Sequence, residues 1–124
     1  MHPEGGRSAR RLRLQNAFAK LERTCSARLY LLFADMRQCR QERAATIAAA
    51  AQARATAFGR AALPAFCCYV TWAFTTRAAS AASRLAGRQA QLEKTARHVA
   101  DERRHWLRCR LGLERRMLRG AQPS

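Results

Sequence analysis

The sequence predicts an all-α protein of two long helices broken near residues 59–64, the second opening on an apolar segment that is a candidate membrane span. Three observations carry this expectation. Apolar residues from Leu14 to Cys39 recur at helical spacing, a seven-residue line of large side chains runs from Leu85 to Leu113, and Gly59 and Pro64 stand between the two patterns.

The first five or six residues contain Pro3 and the pair Gly5–Gly6, which oppose regular structure, so residues 1–7 read as a flexible start. Ser8 is a candidate N-cap for the helix that follows. Leu14, Phe18, Leu21, Cys25, Leu29, Leu32, Met36 and Cys39 then step by 4, 3, 4, 4, 3, 4 and 3, which places them on one stripe. Arg11, Lys20, Arg23, Arg37 and Arg40 lie away from it. Residues 44–57 have high helix propensity and little pattern, with Ile47, Ala51 and Phe58 available to extend the stripe. The expected first helix covers residues 8–60.

Residues 61–83 form the next segment. Its core, Ala61 to Thr76, is the longest run without a charge and is bounded by Arg60 and Arg77. Phe66, Val70 and Phe74 step by four while Tyr69 and Trp72 occupy other faces, so the run is apolar nearly all round. That suits a buried or lipid-facing helix. Its β-branched and aromatic residues would also permit a strand, but the chain offers no second strand to pair with it. Sixteen uncharged residues make about 24 Å of helix, short of the roughly 30 Å of a hydrocarbon core, although snorkelling arginines and the uncharged Ala78 to Ser83 extend it.

In residues 84–118, Leu85, Leu92, Val99, Trp106 and Leu113 repeat every seven positions. The companion lines are poor: three residues on stand Arg88, Thr95, Glu102, Cys109 and Arg116, and four on stand Gln89, Ala96, Arg103, Arg110 and Met117. A dimeric coiled coil needs both seams apolar, so this stripe is expected to lean on a larger surface, with Trp106 as an anchor. Gly112 and Gly120 soften the end, and 119–124 reads as a loose tail.

Composition narrows the function classes. Of 124 residues 48% are hydrophobic, but much of that is alanine and only 7% of the chain is aromatic. Long helices follow readily; a large solitary core does not, and a partner is expected. The formal net charge is +16. Residues 1–43 and 87–124 each carry ten basic and four acidic groups, while 44–86 has four arginines and no acid. Such basic flanks suit anionic lipid headgroups, RNA phosphate or an acidic protein surface. Arg10, Arg11, Arg60, Arg77, Arg103, Arg104, Arg115 and Arg116 are the candidate basic contacts, and Phe66, Val70, Trp72, Phe74 and the Leu85–Leu113 line are the candidate packing residues toward a partner or lipid. The N-terminal stretch with Arg7, Arg10, Arg11, Arg13 and Lys20 beside Leu12, Leu14 and Phe18 is compatible with a mitochondrial import sequence.

No constellation rises to catalysis. His98, Glu102, His105 and Cys109 share one helical face, and Glu102-x-x-His105 has the spacing used in di-iron bundles, but the chain holds one such motif and lacks the facing glutamates. Glu22 and Cys25 come opposite it if the chain folds back at Pro64. Five cysteines without a CxxC form neither a disulfide framework nor a zinc ribbon. No glycine-rich phosphate loop is present. The sequence therefore points to a non-enzymatic subunit with no cofactor, metal or small-molecule substrate. The leading expectation is an accessory subunit of a membrane complex, with the mitochondrial inner membrane as its candidate location. The alternatives are a soluble helical-hairpin adaptor and an RNA-contacting subunit of a ribonucleoprotein particle.

Overall fold

The computed structural model describes the backbone of residues 3–58 and 65–121, and side chains within 6–56 and 68–120. Two α-helices account for it: α1 at Pro3–Phe58 and α2 at Ala65–Ala121. The all-α expectation holds. The expected break at Gly59 to Pro64 lies outside the described residues.

Both helices are longer than their sequence signals. The first begins at Pro3, not at Ser8, because proline is tolerated in a first turn where its missing N–H has no intrahelical acceptor. Ser8 is thus interior to α1 and is not its cap. The second runs past Leu118 through Gly120 to Ala121. The threonine-rich start of α2 is helical, with the hydroxyls of Thr75 and Thr76 both donating to the Trp72 carbonyl at 3.0 and 2.8 Å. That back-bonding occupies the side-chain oxygens inside the helix.

The contacts divide the chain into two compact units. One joins residues 1–32 with 95–124; the other is residues 33–94. Each is an antiparallel pair of helical segments. In the first unit, Phe18 meets Trp106, Glu22 meets Arg110 and Gln15 meets Glu114. In the second, the Cys39 thiol donates to the Leu85 carbonyl at 3.1 Å.

Inward-facing positions explain the pairing. On α1 the buried and half-buried set includes Gln15, Phe18, Glu22, Cys25, Leu29, Leu32, Met36, Cys39, Thr46, Ala50 and Ala53. With Arg43 filling one place, these alternate steps of three and four, the seam of a coiled coil. Four expected stripe members depart from it. Leu14 and Leu21 are 45% and 39% exposed, and Ile47 is 50% exposed. A strict 3–4 alternation carries the seam one position beyond each, to Gln15 and Glu22, and one before Ile47, to Thr46. Ala51 is also exposed, while Ala50 is buried; the Phe58 side chain lies outside the described residues.

On α2 the line Leu85, Leu92, Val99, Trp106 and Leu113 faces inward throughout, and Val99 is fully buried. Its companion seam is the line four residues on. Ala96 is buried, and Gln89, Arg110 and Met117 are half-buried; Arg103 alone stays exposed. The stripe, expected to lean on a larger surface, faces the other helix of its own chain and is half-buried there except at Val99.

No helix among the described residues is long and apolar enough to cross a membrane. From Ala65 to Arg77 lie twelve uncharged residues, about 18 Å of helix, and Arg84 and Arg88 follow. The expected span across residues 61–83 is not met there, and Ala61 to Pro64 lie outside the described residues.

Candidate binding surfaces

The first unit is held by a short ladder of mixed contacts. Phe18 and Trp106 stack with ring centroids 5.9 Å apart and planes 23° from parallel, and His105 meets Trp106 edge-on at 4.8 Å. One helical step further along, Arg110 Nε stands 3.0 Å from Glu22 Oε2. The geometry makes this an ion contact and not a well-directed hydrogen bond. Gln15 Nε2 donates to Glu114 at 3.0 Å, and Arg110 also lies 3.9 Å from Glu114. This network allows Glu22 and Arg110 to occupy seam positions that would otherwise call for leucine.

Glu102 collects a second group. Its carboxylate lies 3.2 Å from His98 Nε2 and 3.8 Å from Arg28, and the Cys25 thiol donates to it at 3.9 Å. The Cys25 thiol is buried at the seam, and that burial, reinforced by the negative charge of Glu102, pushes its pKa up. A protonated thiol of this kind is a poor nucleophile.

Of the four residues on the His98–Cys109 face, contacts form only in pairs. His98 meets Glu102, and the Cys109 sulfur lies 3.8 Å from His105 Nε2. Cys25 does come opposite Glu102, but Glu22 is taken by Arg110. Among the described residues no group of three or more His, Cys, Asp or Glu side chains is arranged to hold a metal ion. Cys25, Cys39, Cys68 and Cys109 are free thiols.

The predicted packing residues fall into two sets. Leu85, Leu92, Val99, Trp106 and Leu113 face the seam. Val70, Trp72 and Phe74 are exposed, with Trp72 at 61%, and Tyr69 beside them is exposed too. The Tyr69 and Trp72 rings lie 6.1 Å apart. The side chain of Phe66 lies outside the described residues. Among the predicted basic contacts, Arg10, Arg11, Arg77, Arg103, Arg104, Arg115 and Arg116 are all exposed, and Arg60 lies outside the described residues. Asp101 pairs with Arg104 across one helical turn.

Sequence reasoning missed one feature of the second unit. An open groove of about 440 Å³ runs where Ala50 of α1 faces Ala78, Ala79 and Ala82 of α2, with Arg43 and Arg54 on its walls. Alanines leave this space because they fill so little of the seam, a consequence that composition indicates but does not locate.

These features define a class, an all-α chain of two helices whose segments pair in an antiparallel, coiled-coil-like way within each unit, with basic surfaces and exposed aromatic side chains. No family model, no curated protein and no solved structure matches the chain.

Proposed function

We propose that the chain is a non-catalytic accessory module that attaches to a larger assembly through the outward faces of its helices. One observation carries the reading. Among the described residues six hydrophobic side chains are buried, four of them the small Cys25, Cys39, Ala50 and Ala96, whereas thirteen large hydrophobic residues are exposed. A large share of the apolar side chains therefore stays open for a partner to cover.

Sedimentation equilibrium combined with thermal unfolding tests this. The free chain should self-associate or unfold over a broad range. A compact monomer that unfolds cooperatively, with no partner present, would count decisively against it.

The membrane-complex form of the proposal draws on the aromatic start of α2, and the mitochondrial form on the basic stretch Arg7 to Lys20, where Leu12 is exposed beside the arginines. Potential-dependent uptake by isolated mitochondria tests the latter. Contact with RNA is the second reading. Exposed Arg10, Arg11, Arg115 and Arg116 support it, with the Arg11 guanidinium close enough to lie 3.6 Å from a side chain placed at Gly120. Phosphate contacts from both segments should give RNA affinity that falls steeply with salt and weakens in an Arg115→Gln/Arg116→Gln variant.

A further inference from the structure

We propose that the outward face of α2 from Tyr69 to Arg88 docks the protein on the surface of an anionic lipid bilayer. The inference rests on the reading of the outward faces as attachment surfaces and names the partner of one of them. It lies wholly within the second unit.

Four large side chains, Tyr69, Val70, Trp72 and Phe74, are exposed within six residues of one helix. At 100° per residue they spread over roughly 200° of the helix circumference. A protein partner with an ordinary surface covers one side of a helix; a fluid apolar medium covers all of an arc this wide. Tyrosine and tryptophan are also the side chains that settle at a headgroup boundary, where the ring is apolar and its polar atom stays wet.

The charge on the same face continues the argument. Val70, Arg77 and Arg84 stand in one line at seven-residue spacing, Arg88 follows four residues on, and all three arginines are exposed. No acidic residue occurs between Glu42 and Glu93, so neither helix of this region carries a carboxylate to repel lipid phosphate. The aromatic turn and a half enters the boundary to a depth of about 5–10 Å, and the arginines behind it meet the headgroups. RNA fits the face less well, because base stacking needs rings interleaved with the arginines, whereas here the rings precede them.

Tryptophan emission reads the contact directly. Trp72 and Trp106 are the two tryptophans, and Trp106→Phe keeps a ring on Phe18 while leaving Trp72 as the reporter. Full-length Trp106→Phe protein should bind phosphatidylcholine vesicles containing phosphatidylglycerol, with a blue shift and quenching by brominated acyl chains. Phosphatidylcholine alone should bind far more weakly. Replacing Arg77, Arg84 and Arg88 with Gln should cost about fivefold in affinity for each arginine removed, and Trp72→Ser/Phe74→Ser in the full wild-type chain should abolish cosedimentation with the vesicles. These side chains are exposed, so circular dichroism should show unchanged helix; if the serine variant loses helix, the arginine variant decides. Several results overturn the proposal: no binding to anionic vesicles, binding with unshifted and unquenched Trp72 emission, or full binding by the arginine variant. A Trp72 shift with poly(U) RNA but not with vesicles assigns the face to nucleic acid and also overturns it. Sedimentation of the free chain tests the accessory-module reading separately, so failure here leaves that reading standing.

Discussion

The Trp106 indole stacks on Phe18 across the first unit, with ring centroids 5.9 Å apart. Both side chains are half-buried, and the ion contact of Glu22 with Arg110 lies alongside. Trp106→Ala removes this aromatic contact and should cost about 2 kcal/mol, less than the loss for a fully buried tryptophan. Trp106→Phe should cost well under half of that. Urea unfolding followed by circular dichroism checks both, and an alanine variant as stable as the parent would show that the stack contributes nothing.

How far the sequence reveals this arrangement depends on the seam. Phe18, Cys25, Leu29 and Cys39, and the whole Leu85–Leu113 line, face inward as their spacing implies. The misreadings have two physical origins. Gln15, Glu22 and Arg110 look like surface residues when each helix is judged alone, and their partners become visible only when the two helices are set side by side. In the second unit Thr46, Ala50 and Ala53 hold the seam with small side chains, so hydropathy offers no contrast to follow. Ile47, the largest apolar residue nearby, drew the stripe to the wrong face. The exposed aromatic turn at Tyr69 to Phe74 was legible as apolar on all sides; which medium covers it is a question that periodicity does not reach.

The Glu22–Arg110 pair should couple measurably. Both side chains are more shielded than those of Arg28 and Glu102, and their charged atoms are closer, 3.0 Å against 3.8 Å. A double-mutant cycle with Glu22→Gln and Arg110→Met should give about 1 kcal/mol, only modestly reduced by salt, because shielded pairs are screened less. The corresponding cycle for Arg28 and Glu102 should give about 0.5 kcal/mol or less, as for other exposed pairs. Equal coupling at the two sites would refute the ranking.

Gly87 and Gly112 lie inside α2, and a methyl group at either position would meet nothing within 4 Å. Neither has a positive φ. Alanine therefore fits without strain and removes the backbone entropy that glycine loses on entering a helix. Each substitution should stabilise the fold by about 0.5–1 kcal/mol, and the two should add, since they stand 25 residues apart on one helix. Chemical denaturation midpoints measure this. A midpoint that falls in Gly112→Ala would mean that a partner or a second chain approaches the helix there.

The thiols should separate by environment. Cys68 is exposed, whereas Cys25 and Cys39 are buried at the two seams. In native protein at neutral pH, Cys68 should react with iodoacetamide in minutes, and Cys25 and Cys39 only as fast as their unit opens. Burial and the neighbouring Glu102 carboxylate raise the Cys25 pKa. The sign follows from proton linkage. The folded state holds the thiol proton more tightly than the unfolded chain, so the associated stability is complete below the ordinary thiol pKa. It declines as pH rises from there and is lost once pH passes the raised value in the folded protein. Stability should therefore fall in the alkaline range, and Glu102→Gln should narrow that fall by removing the charge while burial continues to act. Pulsed alkylation with mass spectrometry, together with denaturation at successive alkaline pH values, tests both parts. Rapid modification of Cys25 in native protein at neutral pH would show that its seam is open, and an alkaline profile unchanged by Glu102→Gln would show that burial alone sets the shift.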